Sequence, residues 1–192
     1  MKLLFATNNK HKIEEIQSAI GNLVEVTGLK DAGINIDIPE PYDTLEKNAA
    51  EKSSVIYALT AISCFSEDTG LEIAALNGEP GVRSARYAGE GRSSEDNIDL
   101  VLRKMYGINN RKAQFRTVIS LIWNGKEYLF EGVCPGNILN ERRGNKGFGY
   151  DAIFVPDGSS SSFGEMSIDE KNSFSHRKKA ADQLVSFLQL QQ

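Results

Sequence analysis

Glu67 and Asp68 are adjacent carboxylates in an apolar run, with Cys64 and Phe65 before them and Leu71, Ile73, Ala74 and Ala75 after. Taking two anions out of water side by side is costly unless cations or a metal pair with them. The chain offers several partners. Thr7-Asn8-Asn9-Lys10-His11-Lys12 lies where the strand-like run Lys2 to Ala6 hands over to Ile13, Ile16, Ala19 and Ile20 at helical spacing. A helix start has free N–H groups and the positive end of the helix dipole, which favour phosphate. The glycines of a Walker loop are absent, and taken alone the stretch reads more simply as an N-cap with solvated lysines. Asn48 and Lys52, four apart, share one helical face, which is also how a solvated surface looks. Glu40 is stiffened between Pro39 and Pro41 and suits a metal ligand or a plain turn.

Two further stretches carry polar chemistry. In "GNKGFGYDAIF", Gly144 to Phe154, glycines let a flat ligand approach the backbone, Phe148 and Tyr150 offer aromatic faces, and Asp151 follows. The competing reading is a glycine-rich strand entry whose aromatics are core. "KNSFSHRKK", Lys171 to Lys179, is the densest basic cluster, and Ser175 reads as the N-cap of a last helix. His11 and His176 are the only histidines, and no Cys or His spacing supports zinc. Glu40, Glu67, Asp68, the lysines, two helix starts and the aromatic-glycine loop together suit phosphoryl chemistry. Carboxylates hold Mg²⁺, and the metal holds a polyphosphate.

The elements that must position these groups read as α/β. A first strand and helix are followed by a long helix capped at Asp43 or Thr44 and running to about Ile62. A strand ends at the carboxylates. A helix from Ser93 or Ser94 carries Ile98, Val101, Leu102 and Met105. Strands Ala113 to Trp123 and Glu127 to Ile138 join through Asn124-Gly125-Lys126, a hairpin signal. A short strand, Ala152 to Val155, precedes the surface loop "PDGSSSSFG", Pro156 to Gly164. The last helix carries Ala181, Leu184, Val185 and Leu188. No linker divides the 192 residues, so a single domain is expected, with the hairpin as the antiparallel part of a mixed sheet. The net charge of −4 and the absence of a basic stripe argue against nucleic acid as partner. The apolar start is too short for a signal peptide or a membrane span. Two cysteines in apolar runs imply reduced thiols, so a cytoplasmic protein is expected.

In order and spacing, Thr7 to Lys12, Asn48 with Lys52, "EDTGL" from Glu67, "PGVRSARYAG" from Pro80, "GFGYD" from Gly147 and "SHR" from Ser175 resemble the inosine triphosphate pyrophosphatases. These enzymes are also called non-standard purine nucleotide pyrophosphatases. The resemblance spans essentially the whole chain. It implies a long mixed β-sheet flanked by helices, two lobes around a central cleft, and a homodimer. It implies Mg²⁺-assisted hydrolysis of ITP, dITP or XTP to the monophosphate and pyrophosphate, with Asp68 as general base and Asp68, Glu40 and Glu67 as metal ligands. Thr7, Asn8, Asn9, Lys10, His11 and Lys12 would cradle the triphosphate, assisted by Lys52 and Thr69. Phe148 would stack on the base beside Gly149 and Tyr150, and Asp151, Lys171, His176 and Arg177 would line its pocket. Donors on His176 and Arg177 would then read the 6-carbonyl of the purine. This chain has Glu67 and Thr69 where the family often has Asp and Ser, and Ala152 where a proline is common. The competing reading is a nucleotide-binding sensor that has lost catalysis.

Overall fold

The computed structural model describes residues 2–91 and 93–191. Leu3, Leu4 and Phe5 make β1 (Lys2–Phe5) buried beyond its first residue. α1 (Lys10–Ile20) follows, capped by the Asn9 side chain accepting from the Lys12 N–H, and buries Ile16, Ala19 and Ile20. β2 (Glu25–Gly28) lies parallel to β1. α2 (Leu45–Thr60) starts at Thr44, whose side chain accepts from the Lys47 N–H. It ends two residues before the expected Ile62, because Ala61 turns left-handed. β3 (Cys64–Ile73) is parallel to β1. Parallel neighbours need a crossover, which α1 and α2 supply.

β3 does not end at the carboxylates, as the sequence suggests, but runs through them to Ile73. Leu71 and Ile73 are fully buried beyond them. The two-residue β4 (Pro80–Gly81) pairs antiparallel with this far half. Gly70 permits the approach: a Cβ there would lie 2.7 Å from the Gly81 carbonyl oxygen. α3 (Ser94–Lys104) is capped by Ser93. β5 (Lys112–Trp123) and β6 (Lys126–Ile138) form the expected hairpin. Asn124 and Gly125 both take positive φ, 50° and 79°, as a type I′ turn requires.

The expected strand from Ala152 is instead one 3₁₀ turn, Asp151–Ile153, and β7 (Phe154–Pro156) begins only after it. The Asp151 and Ile153 N–H groups bend the chain by donating to the Phe148 and Tyr150 carbonyls. The following loop is at the surface only in its first part, because Ser162, Phe163 and Gly164 are buried. α4 (Ile168–Asn172), with a Ser167–Glu170 capping box, and β2 are elements the sequence reading misses. α5 (His176–Gln189) closes the chain.

The strands hydrogen-bond in the order β2-β1-β3-β5-β6-β7, with β4 on β3, giving the expected mixed sheet. The chain forms two compact units. One comprises the residues up to Asp68, Thr117–Gly132 and those from His176; the other comprises Thr69–Arg116 and Val133–Ser175. The first has a core of Leu3, Phe5, Ile16, Phe65, Leu121 and Leu184, with Phe5 stacked on Phe65 at 4.3 Å. A smaller cluster there joins Leu4, Leu29, Ile56 and Cys64. The second has its own core, in which Phe115 meets Phe154 edge-on at 4.7 Å and also packs Phe163. Cys64 and Cys134 are both buried and are not joined in a disulfide. Among the described residues no helix is long and apolar enough to cross a membrane.

Candidate active site

Successive residues of a strand point to opposite faces, and β3 uses this to separate its two acids. The α2 face, with Leu4, Ile56 and Cys64, receives Asp68; the α1 and α5 face, with Phe5, Phe65 and Ile16, receives Glu67. Asp68 accepts from Asn48 Nδ2 at 3.3 Å and from Lys52 Nζ at 3.4 Å. The Asn48 side chain also bonds both backbone groups of Tyr42. It thereby anchors the chain directly after Pro39-Glu40-Pro41, and Glu40 Oε1 lies 2.6 Å from the same Lys52 Nζ. Burial raises the Asp68 pKa, Lys52 and Lys12 pull it down, and Glu40 adds repulsion; the balance leaves it raised. Burial works against the Lys52 charge, but Asp68 and Glu40 together outweigh it, and its pKa rises. The α2 helix is held against the sheet by Ser66 Oγ donating to the Ala49 carbonyl and by a 2.7 Å hydroxyl contact between Ser53 and Ser120.

Glu67, expected as a metal ligand, is paired with two cations. Both its oxygens accept from Arg177, Nε and Nη2 each at 2.8 Å, and Lys12 Nζ lies 3.2 Å from Oε1. Burial works against the Glu67 charge, but Arg177 and Lys12 overcome it and hold the carboxyl at about 2. Arg177 Nη1 bonds Glu15 of α1. With 2% exposure this guanidinium is a buried ion-pair centre, whereas the sequence suggests a donor for the base edge. A buried cation needs counter-charges, and at least three of its five N–H bonds go to carboxylates. Glu15 is the member of this buried ion-pair cluster that sequence reading misses. Its signal is an acid three residues after Lys12, next to the buried Ile16 of the apolar stripe.

Around the start of α1, Thr7 Oγ1 accepts from the Asn9 N–H and Asn8 Nδ2 donates to the Ile36 carbonyl. Lys10 and His11 are exposed, and His11 Nδ1 lies 3.8 Å from a Glu14 carboxylate oxygen. Lys12, by contrast, turns inward to Glu67. His176 is buried at the first turn of α5, where Gly132 of β6 meets the helix. A Cβ at Gly132 would lie 2.0 Å from the His176 carbonyl oxygen.

The second unit assembles a different set. Asp151 Oδ2 accepts from Lys171 Nζ at 2.6 Å and from the Phe148 N–H at 2.9 Å. Gly147 passes so close that a Cβ would lie 2.1 Å from that oxygen. The Lys171 ammonium lies 5.5 Å from the Phe148 ring centre and 5.1 Å from that of Phe163. Phe148 and Gly149 are half-buried. Tyr150 is a core residue rather than a ligand-facing aromatic: it is buried, and its hydroxyl donates to the Ser84 carbonyl. Thr69, the first residue of this unit, is half-buried.

Asp68 and Glu40 both reach the Lys52 ammonium, at 3.4 and 2.6 Å, and are the carboxylates whose oxygens converge closely enough to suit a hard divalent ion, while Glu67 faces Arg177 and Lys12. Among the described residues no three His, Cys, Asp or Glu gather as a metal cage. One or two carboxylates completed by substrate phosphates is the donor set Mg²⁺ commonly takes. A buried, oriented carboxylate beside two lysines can accept a proton from water and hold anionic oxygens.

The sequence model of the Ham1 family matches residues 3–187. The chain is 48% identical over 187 residues to a dITP/XTP pyrophosphatase of Flavobacterium psychrophilum, covering 97% of this chain and 98% of that one. It is 46% identical to a dITP/XTP pyrophosphatase of Porphyromonas gingivalis, covering 97% of each. The Ham1 protein of Staphylococcus aureus superposes with a TM-score of 0.89 at 35% identity, covering both chains fully.

Proposed function

Because this chain belongs to the Ham1 family, we propose that it hydrolyses non-standard purine nucleoside triphosphates, dITP, ITP and XTP, to the monophosphate and pyrophosphate. The observation that carries the reading is the buried Asp68 carboxylate, held by Asn48 and sharing Lys52 with Glu40. In this reading water adds to the α-phosphorus, the α–β anhydride bond breaks, pyrophosphate departs, and the water proton passes to Asp68 Oδ. A carboxyl held above its ordinary range is a better proton acceptor than a solvated one. Asn48 keeps the acid oriented. Lys12 and Lys52, with the first turn of α1, take the charge of the phosphate oxygens. Asp68 and Glu40 would hold Mg²⁺, which when bound polarises the phosphoryl group and neutralises the leaving pyrophosphate. Phe148, Gly149, Asp151, Lys171 and His176 would take the base. Arg177 acts at one remove, by holding Glu67 and through it Lys12. A homodimer in the cytoplasm belongs to the same reading.

A panel of dITP, XTP, GTP and ATP with product identification tests the proposal. dITP and XTP should give the monophosphate and pyrophosphate, with GTP and ATP poor. Release of orthophosphate with a diphosphate product would point to another phosphohydrolase. Tight dITP binding with no turnover would leave a nucleotide sensor.

Removal of divalent metal gives a second expectation. Asp68, Glu40 and a triphosphate repel one another, so excess chelator should abolish activity and Mg²⁺ should restore it. Full turnover in chelator would refute the metal-assisted route.

A further inference from the structure

We propose that Glu165 and Arg143 form a clasp that positions the base-binding loop, residues 144–150, and so sets how tightly the base is held. The proposal rests on the reading of Phe148 as the base-stacking residue. Neither clasp residue touches Phe148, Asp151 or Lys171 in the contacts described above; both act on the root of their loop.

The grip is both side-chain and backbone. The Glu165 carboxylate accepts from Arg143 Nη2 at 2.7 Å, from Nε at 3.4 Å, and from the Ser162 N–H at 2.7 Å. Arg143 Nη2 also donates to the Ser160 carbonyl at 2.9 Å. Ser162 Oγ donates to the Arg143 carbonyl at 2.6 Å, and Lys146 Nζ to the Glu165 carbonyl at 3.0 Å. Backbone bonds run from Arg143 N to Ala152 O, from Lys146 N to Gly164 O and from Gly164 N to Asp151 O.

The fit leaves no slack. A Cβ on Gly164 would lie 2.7 Å from the Arg143 carbonyl oxygen and 2.8 Å from Ala152 Cα. One on Gly144 would lie 2.0 Å from the Gly164 carbonyl oxygen. The turn 160–165 thus holds residues 143–146 on one side and 151–152 on the other, and the loop bearing Phe148 spans between them. The Ser162 N–H, and then Arg143, keep the Glu165 carboxyl below its usual range.

A loop that holds its binding shape for only part of the time weakens apparent affinity by that fraction. Glu165→Gln keeps the size and removes the charge, and Arg143→Lys keeps the charge and removes the fork. In each variant the KM for ITP should rise about three- to tenfold, with kcat within about twofold of the parent. The double variant should equal the singles, since both break one clasp. Inhibition by inorganic tripolyphosphate, which has no base, should stay unchanged. Unaltered KM for ITP in both variants would overturn the proposal. So would parallel weakening of ITP and tripolyphosphate, the mark of general loosening. Phe148→Leu serves as the control. It should raise the KM for ITP and spare tripolyphosphate; if it does not, the base reading fails, and the clasp proposal with it. If Phe148→Leu behaves as stated and the clasp variants do not, the clasp alone is refuted.

Discussion

Asp68→Asn should lower kcat for dITP by about 10²–10⁴ while leaving the protein folded, the usual share of a positioned general base. The substitution preserves shape. Asn48 can still donate to the remaining carbonyl oxygen, and Lys52 retains Glu40 at 2.6 Å. What disappears is the group that takes the proton. Stability should move the other way or not at all. The fold raises the Asp68 pKa, chiefly through burial, so the native state disfavours the charged form, and a neutral amide removes that penalty. A thermal melt of the metal-free variant at or above the parent midpoint, with turnover lost, is the expected pair of results. Turnover near that of the parent in a folded variant would remove Asp68 from the chemistry.

Arg177→Met should act mainly on stability. Breaking a buried ion pair by removing one partner costs about 3–5 kcal/mol. For a chain of this size that lowers the melting temperature by roughly 6–20 °C. The reason is the pair of acids left behind, Glu67 and Glu15, both buried and facing the space Arg177 fills. The pH dependence gives the sign. In the parent, the Glu67 carboxyl is depressed to about 2. Its stabilising contribution is therefore complete above the unfolded carboxylate value, near 4.3, and is lost as pH falls from there towards 2. In the variant the orphaned acids can protonate, so the deficit should be largest at neutral pH and shrink through the carboxylate range. Melting curves from pH 3 to 7 check this. A neutral-pH melt within a degree of the parent would mean that the triad of Glu15, Arg177 and Glu67 is not the brace its geometry indicates. A base-edge donor, the role its place in the basic cluster suggests, would change substrate preference with little effect on the melt.

The longer helices α1, α2, α3 and α5 were legible because their spacing is local, whereas the single-turn α4 was not. Asn9, Thr44 and Ser93 do at α1, α2 and α3 what their types suggest. The hairpin was legible from Asn124-Gly125. The identities of the acids and lysines were legible too, since their chemistry does not depend on context. Their partners were not. Glu67 and Arg177 are 110 residues apart and Glu15 and Arg177 are 162 apart. No local pattern encodes which acid faces which cation. The turn at Asp151–Ile153 was hidden because Ile153, Phe154 and Val155 read together as a strand, and hydrogen bonds to Phe148 and Tyr150 take its start into a turn. The loop ending in Phe163 and Gly164 looked solvent-facing by composition, yet Phe163 completes an aromatic cluster with Phe115 and Phe154.

The alternation of β3 makes the site sensitive to parity. Substitution along Cys64–Ile73 leaves each acid on its own face, but removing or adding a single residue between Cys64 and Glu67 would exchange the faces. Asp68 would then meet Arg177, and Glu67 would meet Asn48 and Lys52. Both acids, and the net charge, would survive in the sequence while the proton acceptor was locked in an ion pair. The spacing from Cys64 to the two acids is therefore under the same constraint as the identity of Asp68. Insertions and deletions in the turns on either side of β3 leave each acid on its own face, whereas an odd one between Cys64 and Glu67 does not.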